Sequence, residues 1–200
     1  MKKDDLNQAL YSVYKEELDD LSYSPTGVLD KIMFKITRKF NEYTDLKYTF
    51  TVPLSEYLRG KLFCDDVSDA MEKRFTQINL ISILLDDFLY QAKRRSNPYD
   101  LYRELDSRFR KTIEVHNYKD GNKTFYINPR DQKMKSVDCI IKRKDALRLE
   151  VMLSDIADIQ QEKSFTVSEV LQILYRDFIF NYKNGSLTNV MENVIKRLSQ

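Results

Sequence analysis

The sequence predicts an α+β protein with a mostly helical N-terminal half, a small antiparallel sheet that includes a β-hairpin near residues 112–128, and C-terminal helices. Apolar residues recur at helical spacing through most of the first hundred residues. The spacing changes to alternation at Thr112, and an Asp-Gly turn at residues 120–121 separates two alternating runs. We therefore predict a helical region at 1–97 and an α+β region at 98–200, which can together form one continuous domain.

The N-terminal half begins with two helices. The first covers about residues 4–20, and the second follows Pro25, a residue that fits the first turn of a helix. The second helix separates its basic residues from an apolar side. That apolar side consists of Val28, Ile32, Ile36, Phe40 and Tyr43.

A β-prone stretch and two further helices follow. Residues 47–52 end at Pro53 and form either a short strand or an extended linker. Residues 54–62 predict a short helix. A longer helix starts at Asp65 or Asp66, and its residues 67–89 are apolar almost all round. Such a helix is typical of the centre of a core or of an oligomer interface.

The chain after the hairpin returns to helices. Residues 136–143 predict a third strand. Residues 146–162 fit both periods, and we favour a helix because the run is long and Asp145 can cap it. Residues 166–181 and 187–198 predict the two last helices.

The composition excludes disorder and a membrane span. Hydrophobic residues make up 42% of the chain, and 33 lysine and arginine residues nearly balance 31 aspartate and glutamate residues. A disordered chain would be less apolar and more highly charged. The longest dense apolar stretch, 80–85, has six residues, whereas a membrane helix needs about 20. No secretory signal is apparent, so we expect a cytoplasmic protein that does not bind a membrane.

Cysteine and glycine usage argues against the common cofactors. Cys64 and Cys139 lie 75 residues apart, which suits two buried reduced thiols rather than a disulfide scaffold or a zinc site. The 4 glycines lie 25 or more residues apart, so no two of them can share a phosphate-binding loop. We therefore expect no cofactor and no metal.

No catalytic set is apparent, and an enzyme is our third hypothesis. A metal-dependent nuclease would need converging carboxylates, and the chain offers only adjacent pairs such as Asp86 and Asp87. The segment from Arg110 to His116 resembles the Arg-x(4–6)-His element of HEPN-type ribonucleases over seven residues. That resemblance implies a helical site that acts on RNA, whereas residues 112–116 here alternate like a strand.

The strongest functional signal is a basic central segment, residues 93–145. It holds 15 lysine and arginine residues against 8 aspartate and glutamate residues, in a chain whose net charge is only +2. Aromatic residues such as Tyr99 and Phe109 are interleaved with these charges. Cations that meet phosphates, beside rings that stack on bases, are typical of nucleic-acid binding. The alternative is a solvated face whose aromatic residues point into the core.

We therefore predict a non-enzymatic accessory or regulatory protein that contacts nucleic acid, with a composition typical of AT-rich mobile elements. The alternative is a protein-interaction module, such as an inhibitor, an adaptor or an obligate oligomer, that uses the apolar 67–89 helix. We assign no catalytic residues. The predicted nucleic-acid-binding residues are Lys93, Arg94, Arg95, Arg103, Arg108, Arg110, Lys111, Lys142, Arg143 and Lys144.

Overall fold

A computed structural model describes residues 12–42, 44–94, 97–114, 117–120, 123–126, 133–160 and 164–199. Within these ranges the chain forms eight helices and four strands, which confirms the α+β class. The elements are, in order, α1 (Val13–Ser22), α2 (Val28–Glu42), β1 (Asp45–Pro53), α3 (Leu54–Met71), α4 (Gln77–Arg94), α5 (Pro98–Glu114), β2 (Asn117–Asp120), β3 (Lys123–Tyr126), β4 (Met134–Lys142), α6 (Arg143–Ile159), α7 (Val167–Lys183) and α8 (Val190–Leu198).

The predicted hairpin is present, and it is shorter than the alternating pattern suggested. β2 and β3 pair in antiparallel register, with Asn117 opposite Tyr126 and Asp120 opposite Lys123. The first strand begins at Asn117 because α5 continues to Glu114. Ile113 lies four residues after Phe109, so this part of the sequence satisfies the helical period as well as the alternation.

The second pair of strands joins distant parts of the sequence. β1 pairs with β4. The amide of Leu54 donates to the carbonyl of Lys133 at 2.8 Å, and the amide of Arg143 donates to the carbonyl of Thr44 at 3.1 Å. These two contacts mark opposite ends of an antiparallel ladder. Residues 47–52 are therefore part of a strand, and the third predicted strand pairs with β1 rather than with the hairpin.

The longest predicted helix is divided in the structure. α3 runs without a break from Leu54 to Met71, and α4 begins at Gln77. Glu72 adopts a left-handed conformation with φ 53°, and Ser68 Oγ accepts a hydrogen bond from the Phe75 amide at 2.9 Å. The helical spacing persists across the break because Val67 and Phe75, on its two sides, are both buried. The predicted break near residues 62–65 is therefore wrong, and the true one is at 72–76.

The chain separates into two compact units. Unit 1 consists of Met1–Tyr48 and Ile140–Val167, and unit 2 consists of Thr49–Cys139 and Ser168–Gln200. Each unit combines segments that are distant in sequence. The predicted boundary between residues 97 and 98 was placed where the type of secondary structure changes. It does not describe these contacts, and it stays a prediction.

Unit 1 is built on the packing of α1 against α6. The Ser12 hydroxyl and the Tyr14 amide both donate to the Glu150 carboxylate at 2.8 Å. Ser12 Oγ also caps α1 by accepting a hydrogen bond from the Lys15 amide at 3.2 Å. The ambiguous segment at 146–162 is thus helical through Ile159, as favoured. Its buried side chains are Ala146, Leu149, Leu153 and Ile156.

Unit 2 has α7 in its core. Phe178 and Tyr182 each approach Phe63 of α3 edge-on, with ring centroids 5.1 Å apart. Arg176 forms a two-point ion pair with Glu56 of α3, at 2.9 and 3.0 Å. This fork-to-carboxylate geometry fixes both position and orientation. The same helix buries Val170, Leu171, Ile173, Leu174, Tyr175 and Ile179.

Candidate nucleic-acid interface

The corner between α4 and α5 lies in unit 2 and holds the first of the predicted basic residues. α4 ends on Lys93 and Arg94, whose charges complement the negative end of the helix dipole. α5 begins four residues later at Pro98, which needs no amide donor in the first helical turn. Asn97 caps this helix, since its side-chain oxygen accepts a hydrogen bond from the Tyr99 amide at 3.0 Å. The short connection keeps the two helix ends within about 14 Å.

Two arginines at this corner stack on exposed tyrosines. The guanidinium carbon of Arg94 lies 5.7 Å from the centroid of the Tyr90 ring. The guanidinium carbon of Arg103 lies 6.0 Å from the centroid of the Tyr99 ring. The two tyrosines are 61% and 52% exposed. Each pair joins residues i and i+4 of one helix, the spacing at which side chains meet.

This corner combines positive charge with exposed aromatic surface. Lys93 is also exposed. An exposed ring offers a face for stacking on an unpaired base, and the adjacent cations attract the phosphate backbone. We call Tyr90, Lys93, Arg94, Tyr99 and Arg103 the tyrosine–arginine corner.

Arg108 forms ion pairs with two carboxylates within unit 2. Its guanidinium lies 2.6 Å from the carboxylate of Glu104 and 3.4 Å from that of Asp177. All three side chains are partly buried. A charge held between two carboxylates contributes less to the attraction of phosphate, because its field is partly cancelled nearby.

Three of the predicted residues lie in unit 1. Lys142 and Lys144 are exposed, whereas the side chain of Arg143 is only 4% exposed. The guanidinium of Arg143 lies 3.1 Å from a carboxylate oxygen of Glu16 and 3.1 Å from one of Glu17. Arg143 therefore holds α1 against the start of α6, and it is not placed to meet a large anionic ligand.

Other predicted residues fall outside what the structure describes. Arg95 lies between the described ranges, and for Arg110 and Lys111 the description covers only the backbone of α5. His116 also lies outside the described residues. The resemblance of residues 110–116 to the HEPN element stays a prediction, although residues 110–114 are helical rather than extended.

Carboxylate pairs do not converge in the described part of the chain. Asp86 and Asp87 of α4 both pair with Arg197 of α8. Asp65 and Asp66 are exposed within α3 rather than at a helix start. Within the described ranges no three histidine, cysteine, aspartate or glutamate side chains cluster in a way that could hold a metal ion.

The apolar 67–89 segment faces inward. Val67, Leu80, Ile81, Leu85, Phe88 and Leu89 are at most 3% exposed. These side chains belong to the core of unit 2, whereas Ile78 of the same segment is exposed. Among the described residues, no helix has both the length and the apolar character needed to cross a membrane.

The two cysteines are buried free thiols, as expected. Burial, with a smaller contribution from the negative charge of Asp65, raises the pKa of the Cys64 thiol to about 12. Burial also raises the pKa of Tyr175, and nearby Cys64 and Glu56 add to this effect. A thiol with such a high pKa is protonated at neutral pH and is a poor nucleophile.

One residue of the tyrosine–arginine corner was missed by the sequence argument. Tyr90 follows the apolar segment 67–89 and precedes the basic segment 93–145, so neither pattern included it. The missed signal is a repeated Tyr-x-x-x-Arg pattern, from Tyr90 to Arg94 and from Tyr99 to Arg103. That spacing places each arginine over the ring one helical turn before it.

No family model, no curated protein and no solved structure matches this chain.

Proposed function

We propose that this chain is a non-enzymatic, cytosolic accessory or regulatory protein that contacts nucleic acid through the tyrosine–arginine corner. The observation that carries the proposal is the pair of exposed tyrosines, Tyr90 and Tyr99, each with an arginine over its ring. An arginine on one side of a ring leaves the ring's edge and opposite face available to a base.

The chemistry of this corner favours single strands over duplexes. In a duplex the bases stack on one another, whereas unpaired bases can stack on an aromatic side chain for about 1–3 kcal/mol each. Lys93 and the two arginines supply phosphate contacts that do not depend on sequence. We therefore propose a single-stranded ligand that is recognised with little sequence preference.

The proposed surface is narrower than the ten residues taken from the sequence. Arg108 and Arg143 are left out because each is already paired with two carboxylates. Lys142 and Lys144 belong to the other unit, and their contribution is a separate proposal. The cytosolic location and the origin in a mobile element rest on two free thiols and on composition.

Fluorescence anisotropy with labelled single- and double-stranded DNA and RNA, over a salt series, tests this proposal. We expect single strands to bind more tightly than duplexes, with an affinity that falls steeply as salt rises. The variant Arg94→Glu/Arg103→Glu should bind at least tenfold more weakly and show a smaller salt slope, because it loses phosphate contacts.

The matched control changes the same charges elsewhere on unit 2. Arg59 and Arg74 are both exposed, so Arg59→Glu/Arg74→Glu alters the net charge equally. Equal weakening by the two double variants would show that binding follows only net charge, and the assignment to this corner would be wrong. An absence of binding at low salt would overturn the proposed function itself.

A protein-interaction module is the second candidate. The observation that favours it is apolar surface on α1 and α2, rather than on the predicted 67–89 segment.

A further inference from the structure

α2 leaves its apolar side uncovered. Nine of the 20 exposed large hydrophobic side chains found in the described part of the chain lie between Leu18 and Phe40. Six of them belong to α2, and three of these six are at least 75% exposed. The six are Val28, Leu29, Ile32, Met33, Ile36 and Phe40.

These six side chains form one continuous face. With 3.6 residues per turn, they fall within an arc of about 140° around the helix. α2 attaches to its own unit by the opposite edge. There, Phe34 packs on Tyr23 with ring centroids 5.4 Å apart, and the Asn41 amide donates to Glu16 at 3.2 Å. The apolar arc therefore points away from the unit to which the helix belongs.

The preceding helix, α1, carries a second exposed apolar area. Its charged residues are mostly acidic, whereas those of α2 are mostly basic. Leu18 and Leu21 are exposed, and so is Asp19, the residue that follows Leu18 on this helix. On α2, the exposed ammonium groups of Lys35 and Lys39 line one edge of the apolar arc. The same unit thus presents an apolar–basic helix and an apolar–acidic helix.

The exposed apolar area fits the size of a stable interface. The arc of α2 alone exposes on the order of 500 Å², close to the largest apolar patch of a typical monomer. With Leu18, Leu21 and Tyr23 the area rises to about 800 Å², which is what each partner buries in a standard interface.

We propose that a second copy of this chain covers this surface, in a twofold dimer that we call the α1–α2 dimer. In it, the apolar arc of α2 in one copy lies against the exposed end of α1 in the other, and the reverse. A twofold interface makes each contact twice. Lys35 and Lys39 of each copy then face Asp19 of the other, so apolar surface and opposite charges are matched together.

Sedimentation equilibrium from about 1 to 200 µM tests self-association. We expect a monomer–dimer equilibrium in the micromolar range. Ile32→Glu/Ile36→Glu places charges in the arc and should weaken the dimer at least a hundredfold. Because the changed side chains are exposed, circular dichroism should show an unchanged fold.

The matched control is Leu58→Glu/Leu62→Glu on α3. These leucines are also exposed, and they lie in unit 2 rather than in the proposed interface. We expect this variant to dimerise like the wild type. If it dissociates the dimer as strongly as the α2 variant does, the assignment to α1 and α2 is wrong.

A charge exchange between two variants separates a second copy from any other occupant. Lys35→Glu/Lys39→Glu and Asp19→Lys should each lose dimer affinity alone, because like charges then face each other. Mixed in equal amounts, they should form a heterodimer at least tenfold more tightly than either homodimer, since both contacts become attractive again.

Two results would overturn the α1–α2 dimer. If the wild-type chain stays monomeric at 200 µM, a second copy does not cover the apolar arc of α2, and a different protein would have to do so. A dimer whose affinity is unaffected by the α2 variants, or is not restored in the mixture, would have to use another surface.

Discussion

Gly60 of α3 lies directly under the hydroxyl of Tyr175 of α7. A Cβ built on Gly60 would come within 1.9 Å of the tyrosine oxygen and 2.8 Å of Cζ. A close contact of this kind permits no side chain on α3 at this point. The glycine is thus required for the packing of two buried helices rather than for an unusual backbone conformation.

We expect Gly60→Ala to destabilise the protein by about 2 kcal/mol, because overpacking a core costs about 1–3 kcal/mol. A net loss of this size corresponds to an overpacking cost of about 3 kcal/mol, since alanine returns about 1 kcal/mol in a helix interior. Urea unfolding followed by circular dichroism measures the change. Gly27→Ala is the control, since its Cβ would meet only the mobile carboxylate of Asp30, at 3.1 Å.

A double variant checks the cause of that destabilisation. Tyr175→Phe removes the oxygen nearest to the new Cβ, while the ring carbon at 2.8 Å remains. The losses of Gly60→Ala and Tyr175→Phe should therefore be less than additive, by about 1 kcal/mol. Strictly additive losses would contradict the assigned contact.

Arg143 is expected to contribute more to stability than its exposed neighbour Lys144. It is the first residue of α6, where the helix dipole disfavours a positive charge, and its ion pairs with Glu16 and Glu17 offset this cost. Arg143→Met leaves two neighbouring carboxylates without this cation and should cost about 3 kcal/mol. Urea unfolding of this variant and of Lys144→Met provides the comparison.

Two further variants test the same ion pairs. Arg143→Lys should recover little stability, because one ammonium group cannot reproduce the fork that reaches both carboxylates. Adding Glu16→Gln and Glu17→Gln to Arg143→Met should recover part of the loss by removing the repulsion. Equal midpoints for Arg143→Met and Lys144→Met would show that the buried ion pairs contribute nothing.

Much of the helical architecture follows from the sequence, because apolar spacing reports which faces are buried. The ambiguous 146–162 segment became a helix as favoured, and its inward residues Leu149, Leu153 and Ile156 follow the helical period. The hairpin was predictable from alternation around one Asp-Gly turn. The pairing of β1 with β4 was not, since periodicity identifies a strand without naming its neighbour.

The spacing of apolar residues does not reveal where a helix breaks or which side chains stay exposed. The break after Met71 was hidden because Val67 and Phe75 are both buried at helical spacing. Tyr90 was missed because it lies between the apolar segment 67–89 and the basic segment 93–145, although it is exposed. The apolar side of α2 was visible in the sequence, but the pattern alone does not reveal that the fold leaves this side uncovered.

The buried thiol of Cys64 predicts a loss of stability in alkaline solution. Its pKa rises from 9.0 to about 12 on folding, so above pH 9 the unfolded chain releases this proton while the folded chain keeps it. The unfolded state then binds fewer protons, and the free energy of unfolding falls as pH rises, by up to about 1.4 kcal/mol per pH unit.

Urea unfolding at pH 8, 9, 9.5 and 10 measures this effect. The stabilising contribution is fully present below pH 9 and is lost as pH rises towards 12. Cys64→Ala should be less stable at pH 8 and should show a shallower decline above pH 9. An identical pH slope in the variant and the wild type would mean that Cys64 does not titrate as its burial implies.

Substitution of the two tyrosines in the tyrosine–arginine corner separates the contribution of stacking to binding from the contribution of charge. Tyr90→Leu/Tyr99→Leu keeps every cation and a comparable apolar volume, but removes both aromatic faces. We expect it to bind single-stranded DNA at least about 30-fold more weakly, because two stacking faces are lost and each stacked base contributes about 1–3 kcal/mol. The salt slope should stay at the wild-type value, since no phosphate contact is lost.

Phenylalanine at the same positions is the matched control for the ring itself. Tyr90→Phe/Tyr99→Phe keeps the aromatic faces and should bind within about twofold of the wild type, whereas the leucine variant should not. Both tyrosines are more than half exposed, so neither variant should lose much stability, and unfolding curves can confirm this. Wild-type affinity in the leucine variant would show that the corner binds through its charges and not through its aromatic rings. The preference for single strands would then need another source.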